Sequence, residues 1–253
     1  MTPLESIIVR CFAVVFALTS LSCTEGTTVG ADRLLVSTDQ TGDWEILDVN
    51  LDSSIAIPIT KNTGGNNKDP SWSPNGGQVA TSSNRLEDYE LFILDLDGSV
   101  VRQLTDNHVS DEQPAWSPDG GFIAFKSDRT GDVELFVMRP DGTEIRQLTD
   151  SPGEDWNPAW SPAGKSLAFA SNRNGNWDIF VMRADGTEIR QLTDSPGTDL
   201  EPVWSPDGKQ LVFTSNRDGR LEVFLLEVSS QDISKTGITG IPAGWRYGEG
   251  SEG

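Results

Sequence analysis

Oxygen-bearing side chains recur at fixed positions in this sequence, and a ring of such oxygens is what a hard cation such as calcium prefers as ligands. Aspartate stands five residues before a tryptophan at three places, Asp111, Asp155 and Asp199. Three residues before each repeated tryptophan the side chain is polar but varies, as Asp69, Gln113, Asn157 and Glu201. We expect these acidic loops to be solvated, since there is no EF-hand spacing; a bound calcium ion is the alternative.

Trp156 stands beside these positions, where the other repeats have Lys68, Glu112 and Leu200. The repeat therefore does not demand an aromatic residue there. A tryptophan in a polar loop is typical of a recognition residue, and a lid over a sheet edge is the alternative. We predict one ligand- or partner-binding face formed by Asp69, Asp111, Gln113, Asp155, Trp156, Asn157, Asp199 and Glu201.

Signals for catalysis are weak. His108 is the only histidine, which excludes a histidine-rich metal centre, and no G-x-S-x-G, H-E-x-x-H or phosphate-loop motif is present. Two carboxylates could serve glycoside hydrolysis, but no pair stands out among the 39 acidic residues. We therefore predict no catalytic residue and no cofactor other than the calcium considered above.

A repeat of 44 residues positions these side chains. Its clearest marks are Trp72, Trp116, Trp160 and Trp204. Within residues 158–193, four short apolar stretches alternate with four turns, and "SPDG" at 117–120 is typical of a type I turn. Each repeat is thus predicted to be a four-stranded antiparallel meander, and this repeat length is typical of a β-propeller blade.

The repeats predict an all-β fold, a propeller of five four-stranded blades. Four blades begin at Pro70, Pro114, Pro158 and Pro202, and residues 33–60 supply three strands of another. The tail repeats the Pro-Ala-Trp of a blade start with Pro242, Ala243 and Trp245. We expect this C-terminal strand to complete the N-terminal blade and close a monomeric ring; an open fragment closed by another chain is the alternative.

Other repeated residues are predicted to be scaffold. The four tryptophans are expected to pack between blades, and Trp177 is expected to pack as well. Four arginines also keep the 44-residue interval, namely Arg85, Arg129, Arg173 and Arg217. We expect each to hold an acid five residues further on, namely Glu90, Glu134, Asp178 and Glu222.

The formal charge of −20 disfavours nucleic acid and anionic membrane surfaces as partners. Residues 1–23 are predicted to be a signal peptide, because an apolar run too short to span a bilayer follows Arg10. Small residues before Cys23 resemble a lipoprotein signal, so Cys23 is the expected lipidated first residue; ordinary cleavage without lipid is the alternative. Residues 24–31 are expected to be a linker, 32–248 the propeller and 249–253 a disordered tail.

The repeat "PAWSPDGGFIAFKSDRTGDVELFVMRPDGTEIRQLT" and its copies resemble the TolB-like propeller repeats, found in the Tol-Pal envelope system and in prolyl oligopeptidase-type propellers. The resemblance implies the fold, export to the periplasm or outer membrane, and binding of an envelope protein. It does not carry over Pal binding, because the additional N-terminal α/β domain and the six blades of that family are not matched. We therefore expect a non-catalytic binding or assembly module; a carbohydrate-binding or carbohydrate-hydrolysing propeller is the alternative.

Overall fold

A computed structural model of the chain describes residues 21–23, 33–39, 42–50, 53, 55–61 and 63–236. Every regular element in these ranges is a β-strand, and none of them contains a helix able to cross a membrane. The strands form five antiparallel sheets of four. The five-bladed β-propeller predicted from the 44-residue period is thereby confirmed.

Each blade takes four strands in chain order, from the innermost to the outermost. Blade 1 contains β1 (Leu21–Cys23), β2 (Arg33–Thr38), β3 (Glu45–Asn50) and β4 (Ile55–Pro58). Blade 2 contains β5 (Asn67–Trp72), β6 (Gln78–Leu86), β7 (Asp88–Asp95) and β8 (Val100–Gln103). Blade 3 contains β9 (Asp111–Trp116), β10 (Ile123–Ser127), β11 (Glu134–Met138) and β12 (Arg146–Gln147).

The last two blades follow the same pattern. Blade 4 contains β13 (Asp155–Trp160), β14 (Ser166–Ser171), β15 (Asp178–Arg183) and β16 (Arg190–Gln191). Blade 5 contains β17 (Asp199–Trp204), β18 (Gln210–Ser215), β19 (Glu222–Glu227) and β20 (Ile233–Lys235). The innermost strands of blades 2 to 5 contact one another in sequence around the ring axis.

The apolar core lies between neighbouring blades. One buried cluster joins Leu91 and Ile93 of blade 2 to Phe125 of blade 3, and equivalent clusters join the next blades. The repeated tryptophans lie in these clusters, and the indole N–H of Trp160 donates to the carbonyl of Ala115 in the preceding blade at 3.0 Å. The prediction that the tryptophans pack between blades is confirmed.

The strand that completes blade 1 differs from the expected one. β1 pairs with β2, with Leu21 opposite Thr38 and Cys23 opposite Val36. This segment occupies the innermost position that we expected the C-terminal strand around Trp245 to fill, and residues 237–253 lie outside the described part of the chain. A sheet edge with free backbone donors and acceptors pairs with any extended segment that reaches it. The sequence pattern alone therefore could not decide between the N-terminal and the C-terminal segment. Cleavage before Cys23 stays a prediction.

Gly98 tests how closely the blades approach each other. Its φ is +82°, and an added Cβ would lie 2.0 Å from the carbonyl oxygen of Ile59 in blade 1. We expect Gly98→Ala to lower the free energy of unfolding by about 2–3 kcal/mol, from backbone strain and steric overlap together. Gly219 is the matched control, because its φ is +81° with no atom within 4 Å of the added Cβ. Equal losses for the two variants in urea unfolding would contradict a blade-to-blade clash.

Candidate functional site

The innermost strands carry the predicted site residues, and each of these strands contains a bulge three residues before its tryptophan. The residues at the bulges, Asp69, Gln113, Asn157 and Glu201, all have left-handed backbones with φ of 53–56°. Pairing shifts in register there, for example between Trp156 and Ala159. A bulge re-aims a side chain, so the four varied polar residues occupy one geometrically distinct position around the central channel.

Hydrogen bonds join these positions from blade to blade. The hydroxyl of Ser82 donates to Asp69 Oδ2 at 3.2 Å and accepts from the backbone N–H of Gln113 at 3.1 Å. Gln113 Oε1 in turn accepts from the backbone N–H of Asn157 at 2.8 Å. The structure thus brings three of the predicted residues into one polar belt across blades 2, 3 and 4.

Glu201 extends this belt into blade 5. Burial raises the pKa of Glu201 to about 7, opposed by a hydrogen bond from Thr214 at 3.3 Å and reinforced by the charge of Asp69. Burial also raises the pKa of Asp69, against the lowering effect of Lys68. Asp69 belongs to blade 2 and Glu201 to blade 5, so the carboxyl group of Asp69 acts on the pKa of Glu201 from another blade.

A charged cluster lies next to the belt on blades 2 and 3. Lys68 Nζ and Lys126 Nζ lie 2.9 and 3.3 Å from the two carboxylate oxygens of Glu112. Burial alone would raise the pKa of Glu112, but the two lysines lower it below its ordinary value. The glutamate therefore stays ionised and holds both ammonium groups in place.

Aromatic rings extend this cluster at both ends. Lys68 lies 3.8 Å from the ring centre of Tyr89, and Lys126 lies 4.8 Å from that of Trp156. Trp156 in turn packs against Trp177, with ring centres 4.5 Å apart. These side chains form one continuous wall. We call it the mouth cluster, and it consists of Lys68, Tyr89, Glu112, Lys126, Trp156 and Trp177.

The mouth cluster confirms part of the sequence interpretation and adds to it. Trp177 packs against the core cluster of blades 4 and 5, as expected. Sequence reasoning missed Lys126, which lies in the second strand where the other repeats have Ser82, Ala170 and Thr214. A charged residue at a position that is otherwise small was the signal that could have revealed it.

The repeated aspartates have a scaffold role. Asp111, Asp155 and Asp199 are fully buried and lie 2.8, 2.9 and 2.7 Å from the nearest guanidinium nitrogens of Arg129, Arg173 and Arg217. These carboxylates hold the loop that follows the second strand, and they present no free oxygen to solvent. In blade 2 the same bond runs from Arg85 to Asn67 Oδ1 at 2.7 Å.

The arginine partners we expected from the sequence were wrong. Glu90 and Glu134 instead accept backbone N–H groups from Asn107 and Ser151, each at 2.7 Å, and Asp178 and Glu222 occupy the equivalent positions. The physical reason is competition and not register, since Ser171 lies opposite both Asp155 and Asp178. The third-strand acid is already bonded to the loop after the fourth strand, as Glu134 is to Thr149 and Ser151, which leaves the first-strand aspartate to the arginine.

The site offers recognition chemistry. In the ranges that the structure describes, no group of three or more His, Cys, Asp or Glu side chains is arranged to hold a metal ion. The candidate calcium ligands Asp111, Asp155 and Asp199 are already paired with arginine. Beside the polar belt, the channel carries a rigid wall of two cations, one ionised acid and three aromatic rings.

A family model described as the TolB beta propeller domain matches residues 40–154 and 142–244. The chain belongs to the TolB β-propeller domain family. Comparison with curated proteins gives no match. Family membership confirms the repeat resemblance seen in the sequence.

Solved structures support the same fold. A putative TolB from Agrobacterium tumefaciens is 23% identical with a TM-score of 0.72, the match covering 81% of this chain and 76% of that one. TolB from Acinetobacter baumannii is 19% identical with a TM-score of 0.68; the match covers 76% of this chain and about half, 48%, of that protein. A puromycin-hydrolysing peptidase from Mycobacterium tuberculosis is 18% identical with a TM-score of 0.60, with 87% and 38% covered. At these identities the likeness shows the fold alone, which serves binding proteins and enzymes alike.

Proposed function

We propose that this TolB-family propeller is an exported, non-catalytic module that binds an envelope protein through its channel mouth. The mouth cluster carries the proposal. Two lysines, one glutamate and three aromatic rings form a wall fixed by strands and ion pairs, and a wall of this kind binds without ordering costs of its own. The varied belt residues Asp69, Gln113, Asn157 and Glu201 supply specificity.

The charge pattern indicates which partner surface fits. The chain as a whole carries a formal charge of −20, yet the mouth cluster places Lys68 and Lys126 around Glu112, with Asp69 as the neighbouring acid. A partner segment with an acidic and an aromatic residue would complement the lysines and the Trp156 ring. Export through residues 1–23 is part of the same proposal, and lipidation of Cys23 would hold the module at the membrane. Cleavage before Cys23 would remove Leu21 and Ser22 of β1 and leave the innermost position of blade 1 to another extended segment.

Trp156 is expected to be a hot spot of this interface. We expect Trp156→Ala to weaken partner binding tenfold or more, because a partly buried tryptophan at the centre of a rigid patch typically contributes this much. The measurement combines affinity capture from envelope extracts with photo-crosslinking from p-benzoylphenylalanine placed at position 156. Ile189 on the outer rim is 39% exposed and serves as the control position for both changes.

Crosslinks to the same protein from positions 156 and 189 would contradict a mouth-specific interface. Retention of an oligosaccharide in place of a protein would instead favour the carbohydrate alternative, since adjacent indole rings such as Trp156 and Trp177 also bind sugar faces.

A further inference from the structure

A second recess lies on the face of the ring opposite the channel mouth. Blades 4 and 5 enclose a groove of about 650 Å³, within the range of small-ligand sites. It is formed by the turn after β13, the end of β15 and the turn after β17, at the strand ends far from Trp156. The lining residues that matter here are Lys165, Ser166, Arg183, Arg190 and Trp204.

The equivalent position between blades 3 and 4 is filled by a side chain of the protein itself. There Phe122 packs against the core cluster that contains Trp160, and the guanidinium of Arg139 lies 5.2 Å from the centre of the Phe122 ring. One repeat later, Ser166 stands in place of Phe122. The serine side chain is too small to occupy the same volume, so the groove between blades 4 and 5 is open.

The arginine that lies over the Phe122 ring in blade 3 has a counterpart in blade 4. Arg183 is the repeat equivalent of Arg139, and it pairs with Glu188 at 2.8 Å as Arg139 pairs with Glu144 at 3.1 Å. Among the described residues, however, Arg183 has no aromatic ring beneath it, whereas Arg139 has Phe122. An aromatic ring placed in the groove would regain this contact.

Two further cations line the groove, of which Lys165 is additional to the filled position and Arg190 has a counterpart there. Asp207, in place of Ala163, offsets the charge of Lys165. Lys165 lines it where blade 3 has Gly121. Arg190 lies 3.5 Å from the carbonyl oxygen of Val228, whereas the equivalent Arg146 donates to a carbonyl at 2.9 Å. Arg190 is therefore weakly held and can turn toward an anion. Three cations face the two acids Glu188 and Asp207 in a chain that is otherwise strongly acidic.

We propose that this groove binds an aromatic ring that carries a carboxylate. The ring takes the place beneath Arg183 that Phe122 takes beneath Arg139, and the carboxylate meets Arg190 and Lys165. The same chemistry is supplied by a free aromatic acid or by a peptide that ends in an aromatic residue.

The indole groups of Trp204 and Trp160 allow a direct test. Trp204 lines the groove, and its repeat equivalent Trp160 lies in the filled position with Phe122. With ¹⁵N-indole tryptophan labelling of the intact protein, N-acetyl-phenylalanine should shift the Trp204 Nε1–H signal saturably and leave Trp160 unchanged. N-acetyl-phenylalanine amide and N-acetyl-leucine should bind at least tenfold more weakly, since each lacks one of the two required groups. An absent Trp204 shift, or equal shifts at both tryptophans, would overturn the proposal.

Variants separate the ring from the carboxylate. Ser166→Phe supplies the missing ring from the protein, as Phe122 does in blade 3, and should abolish the Trp204 response. Arg190→Gln should reduce binding of the acid about tenfold and leave binding of the amide unchanged; equal effects on both would overturn the charge assignment, even if Ser166→Phe fails to fold. Tighter binding of a peptide ending in phenylalanine than of N-acetyl-phenylalanine identifies a peptide source, and equal binding identifies a free acid.

Discussion

Replacing Arg173 with alanine is expected to lower the free energy of unfolding by about 3–5 kcal/mol, the largest single effect outside the core. Asp155 is fully buried, and Arg173 Nη2 donates to both of its carboxylate oxygens at 3.0 and 2.9 Å. The variant would leave that carboxylate without its counter-charge in a site closed to water. Arg173 also covers the rings of Phe169 and Phe180, so packing is lost as well. Urea unfolding at pH 7 measures the difference.

The chain contains its own control for this prediction. In blade 2 the acid is replaced by Asn67, whose side-chain oxygen accepts a hydrogen bond from Arg85 at 2.7 Å. An amide can therefore take the place of the carboxylate in this pair. Asp155→Asn with Arg173 retained is therefore expected to cost only about 1 kcal/mol. Combining Asp155→Asn with Arg173→Ala should recover part of the loss, because no charge then stays buried. A loss below about 1 kcal/mol for Arg173→Ala alone would show that Asp155 is hydrated or neutral in the folded protein.

The ion pair of Arg173 with Asp155 also shows what could not be predicted from the sequence. The 44-residue period fixed the number of blades, their four strands and the tryptophans between them, because local pattern and blade packing agree in every repeat. It could not choose the partner of Arg173. Asp155 and Asp178 both recur with the same period and both lie opposite Ser171, so neither periodicity nor register separates them. Asp178 already accepts from Thr193 and Ser195, and this leaves Arg173 to Asp155.

The mouth cluster could not be predicted from the sequence for a related reason. Its contacts join different blades, such as Lys126 of blade 3 with Trp156 of blade 4. The distance between such residues depends on how the blades are arranged around the axis, which a repeat pattern does not specify. The varied belt positions, by contrast, could be predicted, since departure from a strict repeat is visible in the sequence itself.

Glu201→Gln is expected to make the protein more stable at pH 8 by about 3 kcal/mol and to leave it nearly unchanged at pH 4.5. Burial raises the pKa of Glu201 from 4.5 to about 7. A difference of one in pKa between the folded and unfolded states changes the free energy of unfolding by about 1.4 kcal/mol. Below pH 4.5 the carboxyl is protonated in both states, and its ionisation does not affect stability. Between pH 4.5 and 7 the unfolded chain ionises while the folded chain keeps its proton, so stability falls as pH rises, and above pH 7 the loss is complete. Glutamine cannot ionise and escapes this loss.

Urea unfolding of both proteins at steps from pH 4.5 to 8 tests this sign. Other carboxyl groups titrate in the same range, among them Glu134, whose pKa burial also raises to about 7. They are common to both proteins, so the difference between the two curves isolates Glu201. Glu188→Gln is the control, because that side chain is 67% exposed on the outer rim. A stability difference that stays constant with pH would mean that Glu201 is already ionised in the folded channel, where the belt would then hold a permanent negative charge facing Asp69.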